Sequence, residues 1–534
     1  MINDKPRVLV VENDNRWRLV HEKNLTRWGW LPFIAQGEGQ SLLKDAIDKV
    51  LIYRCHAALV DLRLVDHDSR SDNSGLNLIP KLQPTPSIIV SGYADFFVAR
   101  TALMEKGARH FIGKEEGPEL LKQVIEEVLQ TMCAATKEIE IEWPPGLSAQ
   151  AIVSRLLPDA RDSVPIDQVN DVLGLLFPDA KRLRLETLDG LNELSQSGPR
   201  LHSVVLKVYI DDFLQPEFLK IASPEDIQTQ GERYRSYVEG RLFGTFHSLL
   251  KKEVYLWDIG AATYDFLSAP NQKMKTWAQL YQSTESIDEL VKPLQFFFDE
   301  LWSHHYHLEN QKSGPHLLKA YCNVWGKNWC NRLQDAYQGK YLKIYALKPD
   351  LLNPVRWLLD RQSNGTIPPT RLAITHGDLH GGNLFVYDGH AWVIDFERTG
   401  PGPIYQDFVE LETDLLVQLT HFEDLQTFHN LVSTLLSATT ADQIKLGSPT
   451  HKKTDANKAL AVIKALRQLA EKTIPKFNMK QYLWGLLFDS LFLISLPALK
   501  HPQNKAQHDR ALLLGGLICE RLENATPFSP ARKS

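Results

Sequence analysis

The stretch ITHGDLHGGNLFVYDGHAWVIDFERTG, residues 374 to 400, constrains the fold more than any other part of the chain. It reads as strand, loop, strand, turn, strand. Leu372 and Ile374 lead in, Leu384-Phe385-Val386 is a short apolar run, and Trp392-Val393-Ile394 returns. Between the last two, Asp388-Gly389 predicts a tight hairpin, because two-residue turns that match strand twist need positive φ at both central positions. Three polar residues sit on this scaffold: Asp378, Asn383 and Asp395. A carboxylate can orient a hydroxyl and accept its proton, the role expected of Asp378. A carboxylate together with an amide oxygen supplies hard donors for Mg²⁺, the role expected of Asp395 and Asn383. Phosphoryl transfer from ATP needs this combination, since it depends on positioning and charge neutralisation rather than on covalent chemistry by the protein.

The string HGDLHGGN followed by IDFE resembles the signature of the aminoglycoside phosphotransferase and choline kinase group, over residues 183 to 534. Asp378 and Asn383 stand five apart, as do the Asp and Asn of the protein-kinase catalytic loop, and Asp395 stands where the Asp of D-F-G would lie. The resemblance implies an α+β, two-lobed protein-kinase-like domain that uses ATP and Mg²⁺ and has a hydroxyl-bearing acceptor. It also implies that Asp407 braces the catalytic loop. The small lobe would begin at Lys181 with RLRLETL, SVVLKVYI and EFLKIA, and Val254–Trp257 with Thr263–Leu267 would complete its sheet. Lys220, followed by a helix-like stretch containing Glu232, would form the nucleotide-binding Lys–Glu pair; Lys207 is the rival lysine. The loop between the first two strands, LDGLNELSQSGP, holds Gly190 and Gly198 but no GxGxxG.

The N-terminal third has a different rhythm. RVLVV at 7–11, Ala57–Val60, Ser87–Val90 and His110–Ile112 are short apolar runs separated by helical segments, among them Arg16 to Trp28 and Pro118 to Gln130. This alternation predicts a doubly wound parallel α/β sheet, with its site at the carboxyl ends of the strands. Glu12, Asp61, Ser91 and Lys114 each fall at such an end. The constellation resembles the receiver domain of bacterial response regulators, a flavodoxin-like fold, over residues 5 to about 130. By that resemblance Asp61 is the phosphoacceptor, Glu12, Asp14 and Asp61 hold Mg²⁺, and Ser91, Phe111 and Lys114 are the switch residues. Asn13 stands where an acidic residue is expected, and Glu115 follows Lys114 in place of a frequent Pro. A histidine kinase or another phosphodonor is the implied partner. Phosphorylation would add about −1.5 to −2 charges and draw Ser91 toward the new oxygens. Phe111 would then turn inward and change the surface around the fourth and fifth strands, where the segment from Ser148 onward or the small lobe would meet it.

A chain of 534 residues implies two to four domains. The expected division is a receiver-like domain at 1–132, a linker and small helical segment at 133–180, a small lobe at 181–270 and a mostly helical large lobe at 271–534. A formal net charge of −5 gives no basic face for nucleic acid. Cys55, Cys133, Cys322, Cys330 and Cys519 form no CxxC, which fits reduced cytoplasmic thiols. No apolar leader opens the chain, and the apolar run Tyr482 to Leu496 carries Asp489, so a buried helix is expected rather than a membrane span. HHYH at 304–307 lacks metal-ligand spacing and is expected on a helix surface. Glu410, Glu412 and Asp414 are expected on a solvated helix face. The whole resembles receivers fused to ternary-complex-associated phosphotransferase domains of bacterial signalling. A signal-responsive phosphotransferase is therefore expected, with a nucleotide-binding pseudokinase scaffold as the alternative.

Overall fold

The computed structural model of the chain describes residues 5–66, 69, 71–93, 96–132, 139–158, 167–187, 203–242, 246–265, 274–307, 312–326, 328–334, 339–344, 348–446 and 455–524. The glycine-bearing loop with Gly190 and Gly198 lies outside the described residues, as does Cys133. The chain forms two compact units. The first comprises Met1–Leu188, His202–Gln228 and Lys251–Tyr264; the second includes Thr229–Leu250 and Asp265–Ser534.

The first unit opens with strands β1 (Arg7–Val11), β2 (Leu31–Ile34), β3 (Ala57–Val60), β4 (Ser87–Ser91) and β5 (His110–Gly113). They form one five-stranded sheet in the order β2-β1-β3-β4-β5, and every pair is parallel. This is the flavodoxin-like order of doubly wound folds. RVLVV and its neighbours form central strands because both faces are covered. Val8 and Val10 pack with Leu59, Ile88 and Val90 on one side, and Leu9 and Val11 with Ala58, Val60 and Ile89 on the other. Helices α1 (Asn15–Arg27) and α2 (Gln40–Tyr53) flank β2, and α3 (Ser74–Leu78), α4 (Phe96–Met104) and α5 (Pro118–Leu129) complete the winding. β2 carries Pro32 and is only partly buried, which an edge strand tolerates because one of its sides forms no ladder.

The same unit continues into a mixed six-stranded sheet. Its strands are β6 (Glu140–Glu142), β7 (Arg182–Thr187), β8 (Ser203–Ile210), β9 (Glu217–Ala222), β10 (Leu250–Tyr255) and β11 (Gly260–Asp265), in the order β10-β11-β9-β8-β7-β6. Part of the stretch read as linker is therefore ordered backbone: Glu140–Glu142 adds to the sheet edge parallel to β7. Helices α6 (Ala149–Leu156) and α7 (Asp167–Leu176) contribute Ile152, Val153, Val172 and Leu173 to the same core as Leu183, Leu206, Val208 and Ile221. Ser148 caps α6, its hydroxyl accepting the Ala151 N–H at 3.1 Å. The small helical segment is thus one wall of this core. β10 ends two residues before the expected strand end, so Trp257 lies in the turn Leu256–Ile259.

The second unit is mostly helical, with two antiparallel three-stranded sheets. The first joins β12 (Lys275–Thr276), β15 (Leu384–Tyr387) and β16 (His390–Val393); the second joins β13 (Lys312–His316), β14 (Pro369–Thr375) and β17 (Gly400–Pro403). The helix Met479–Ser495 is buried from Tyr482 to Ser495 on all sides, and no described helix is long and apolar enough to cross a membrane. A buried ion pair ties four helices together. Arg467 donates Nε and Nη2 to Glu412 at 3.0 and 2.6 Å and Nη1 to the Leu435 carbonyl at 2.9 Å, while the Tyr482 hydroxyl donates to Glu412 at 2.7 Å. Removing one partner strands a buried charge. Arg467→Met should lower unfolding free energy by about 3–5 kcal/mol in urea titration. The double variant Arg467→Met/Glu412→Leu should recover most of that loss.

Candidate functional site

In the first unit the acid-rich pocket lies at the carboxyl ends of β1 and β3. Glu12 and Asp61 are both buried, and the Lys114 ammonium lies 2.6 Å from Glu12 and 3.4 Å from Asp61. Burial, and then the charge of Asp61, push the Glu12 carboxyl above the ordinary range, while Lys114 opposes both. Asp61 Oδ1 accepts the Leu62 N–H at 2.8 Å. The Lys114 N–H donates to the Ser91 carbonyl at 3.1 Å, and the Ser91 hydroxyl accepts the Tyr93 N–H at 3.3 Å. Phe111 is half-buried and packs on the core that contains Val60 and Ile89. Glu12, Asp61, Lys114 and Ser91 are therefore assembled in one place. Two features of the pocket escaped sequence reasoning. A Cβ on Gly75 would come within 2.0 Å of the Asp61 carbonyl oxygen, so only glycine fits beside the acid. Arg63 stacks over the Tyr93 ring at 3.4 Å.

Asp14 caps α1, accepting the Arg16 N–H at 2.7 Å, and so has one carboxylate oxygen engaged. Asn13 donates its amide nitrogen to the Arg63 carbonyl at 2.7 Å, while its Oδ1 is buried without a hydrogen-bond partner in the protein. An orphaned amide oxygen is a hard donor of the kind Mg²⁺ takes, and Asn13 offers it in the place expected of an acid.

In the second unit the stretch 374–400 forms the predicted hairpin. β15 and β16 pair antiparallel through Asp388 (φ 47°) and Gly389 (φ 75°), the two positive φ values such a turn demands. Asn383 donates its side-chain amide to the Asp378 carbonyl at 2.9 Å, and its own carbonyl accepts the Ile394 N–H at 3.2 Å. Ile394 in turn presents its carbonyl to His376 Nε2 at 3.0 Å, and the Thr399 hydroxyl donates to the His376 carbonyl at 3.1 Å. These bonds join the loop of Asp378 and Asn383 to the segment of Asp395. Asp395 itself follows the end of β16 with φ 67°, a left-handed conformation that a non-glycine residue holds only under constraint. Arg398 reaches Asp378 Oδ1 at 3.2 Å. Gly377 has φ 82°, and a Cβ there would lie 2.5 Å from the Arg398 carbonyl oxygen. With its nitrogen engaged, Asn383 has its amide oxygen as the atom able to bind a cation, and with a carboxylate it makes a hard-oxygen set. Among the described residues there is no group of three or more His, Cys, Asp or Glu able to hold a metal ion, so Glu12, Asp14 and Asp61 do not come together as the three-carboxylate site expected of them.

The helix Gln406–Asp414 overturns one expectation. Its acidic residues do not form a solvated face. Asp407 accepts the His376 and Gly377 N–H groups, each at 3.0 Å, and the Tyr306 hydroxyl. Glu410 accepts the Leu379 N–H and Asp414 the Gly381 N–H, each at 2.8 Å. Helical periodicity puts 407, 410 and 414 on one face, so the helix grips the loop of Asp378 at successive amides. His305 is also buried, not on a helix surface, and burial pushes its imidazole down to about 3. Lys220 lies on β9 in the first unit with 6% exposure, and Glu232 on the second-unit part of the helix Pro224–Tyr237.

Residues 348–500, which include this loop and helix, match the model of ternary complex associated domain 9. No curated protein matches the chain. Among solved structures, the chain is similar to the signal receiver domain of a putative Luxo repressor protein from Vibrio parahaemolyticus, at 25% identity over 24% of this chain and 91% of that one, with a TM-score of 0.20. It is also similar to the CheY-like receiver domain protein of Methanospirillum hungatei JF-1, at 25% identity over 23% and 94%, TM-score 0.20. The receiver domain of NtrX from Brucella abortus is 26% identical over 23% and 98%, TM-score 0.20.

The buried acids generate two predictions. Asp407→Asn would turn an NH₂ toward one of the two amides and should cost about 2 kcal/mol in urea unfolding. Burial raises Asp489 to about 7, with Asp414 and Asp378 adding repulsion, and burial raises Asp414 to about 7 with Asp378 adding to it. A carboxyl raised in the native state gives stability that is complete below its unfolded value, near 4, and is lost as pH rises through about 7. The Tm should therefore fall between pH 4 and pH 7, and Asp489→Asn should flatten that slope, measured by calorimetry.

Proposed function

We propose that the protein is a signal-responsive phosphotransferase. Its flavodoxin-like domain accepts a phosphoryl group on Asp61 from a histidine kinase or a comparable phosphodonor. Its second unit transfers the γ-phosphoryl group of ATP to a hydroxyl acceptor. The observation that carries the reading is the knitting of the Asp378–Asn383 loop to the Asp395 segment, with the loop's amides held by Asp407, Glu410 and Asp414. A backbone fixed in this way meets the positioning demand of phosphoryl transfer.

In the proposed step Asp378 orients the acceptor hydroxyl and accepts its proton as the oxygen bonds to the γ-phosphorus. The bond from that phosphorus to the β–γ bridging oxygen breaks, and ADP leaves. Asn383 and Asp395 would hold Mg²⁺, which when bound neutralises phosphate charge. Arg398, already paired with Asp378, keeps that carboxylate oriented before an acceptor arrives.

The same ion pair favours a second reading, in which Arg398 silences Asp378 and the unit binds nucleotide without turnover. Labelled ATP with Mg²⁺ and cell extract separates the two. Transfer of label that is abolished by Asp378→Asn, with ATP affinity kept within a few-fold, supports catalysis. Asp395→Ala should lose Mg²⁺-dependent nucleotide binding as well. Binding without labelled product in wild type, with product appearing in Arg398→Ala, supports silencing by Arg398.

A further inference from the structure

The two strands that carry Asp61 and Ser91 at their carboxyl ends are tied at their amino ends to the turn Leu256–Ile259, all within the first unit. Asp258 accepts both Arg54 Nε and Nη2, at 2.9 and 3.0 Å, and Gln168 Nε2 at 2.8 Å, and its own N–H donates to Gln168 Oε1 at 3.0 Å. A bidentate guanidinium–carboxylate pair of this kind fixes orientation as well as distance. Arg54 closes α2 with φ 47°, a left-handed conformation that its surroundings must enforce. Thr85 is fully buried just ahead of β4. Its hydroxyl donates to the Cys55 carbonyl at 2.9 Å and accepts Trp257 Nε1 at 3.1 Å. The Trp257 ring stands edge-on to His56, with centroids 5.5 Å apart, and packs against the cores of both sheets.

We infer that the Trp257–Asp258 turn, seated on the amino-terminal ends of β3 and β4, reads the state of the Asp61 site and conveys it to β9 and Lys220. This inference rests on the assignment of Asp61 as a phosphoacceptor. Sequence alone directed attention to the surface around β4 and β5, but the contacts between the doubly wound domain and the six-stranded sheet described here lie at the opposite end of the strands. A phosphoryl group on Asp61 would draw Ser91 toward it, a pull along β4 against β3. These strands are extended, buried on both faces and in register from Ala58↔Ser87 to Val60↔Ile89, so they cannot absorb the pull by shortening. The displacement must emerge about 16 Å away, at 3.3 Å per residue from Asp61 back to His56. There one hydroxyl spans the approach to β3, the approach to β4 and the indole of the turn. It has a single proton, and a slide between the strands breaks or reorients its bonds. The turn runs directly into β11, which is bonded to β9.

The full chain carrying 5-fluorotryptophan tests this by fluorine NMR, with and without beryllofluoride and Mg²⁺, and with Trp17→Phe and Trp257→Phe assigning two resonances. The Lys114 ammonium lies 5.1 Å from the Trp17 ring centroid, so Trp17 reports events at Asp61 and Trp257 reports those at the far end. Both resonances should shift in wild type. In Thr85→Val, which keeps the shape without the hydroxyl, the Trp257 shift should be lost while the Trp17 shift remains, and Thr85→Ser should restore it. Should Thr85→Val fail to fold, Arg54→Lys, which loses the paired fork, should uncouple the two in the same way. A Trp17 shift with a still Trp257 resonance in wild type overturns the inference, as does a full Trp257 response in the uncoupling variant. If neither resonance moves, Asp61 takes no phosphoryl mimic, and the phosphoacceptor assignment falls together with the inference.

Discussion

The candidate transfer site depends on a row of carboxylates meeting a row of amides. Asp407, Glu410 and Asp414 lie on one face of a single helix and receive the N–H groups of His376, Gly377, Leu379 and Gly381. A loop has no internal ladder of its own, so its shape must be imposed by something rigid. Here the helix acts as a ruler, and its repeat sets the spacing of the loop. Gln406 adds to this by donating to the Gly377 carbonyl at 3.2 Å and to Glu410 at 2.8 Å. Burying so many acids is costly unless each finds donors, and the loop supplies them. On another side of the same helix Glu412 meets Arg467, which anchors the ruler to the core.

Both candidate sites set a cation against an acid. Lys114 lies between Glu12 and Asp61, and Arg398 lies on Asp378. In each case the acid is attached to a strand end or a clamped loop, and the cation comes from a different segment. Under the proposed function, a phosphate or acceptor entering either site would rearrange the pair, which links occupancy to local geometry.

Much of this arrangement was legible in the sequence, and for local reasons. Asp388-Gly389 specified its turn because both backbone conformations are inscribed in the residue types. The strands at 7–11, 57–60 and 87–91 stood out because burial on two faces leaves an unbroken apolar run. β2 and α2 did not stand out: Pro32 within LPFI argues against a strand interior, and only an edge position accommodates it. The acids of the 406–414 helix were misread because acidic residues at close spacing look the same whether they face water or amides. The partner amides lie about thirty residues upstream, and no local pattern announces them. Trp257 read as a strand residue for a similar reason, since an aromatic residue suits a strand as well as a turn that fills a neighbouring core.

That indole bears on how such a chain can change over evolutionary time. A domain joined to its neighbour by a free tether can be exchanged as a cassette, because nothing on its surface is complementary to that neighbour. Here the two sheets of the first unit share an aromatic ring, and Arg54, His56 and Thr85 on one side match Trp257, Asp258 and Gln168 on the other. A replacement lacking those three residues would leave the half-buried Asp258 carboxylate with Gln168 alone and the indole N–H without its acceptor. Recombination at this junction is therefore confined to donors that already carry the matching face, and the two parts are expected to be inherited together.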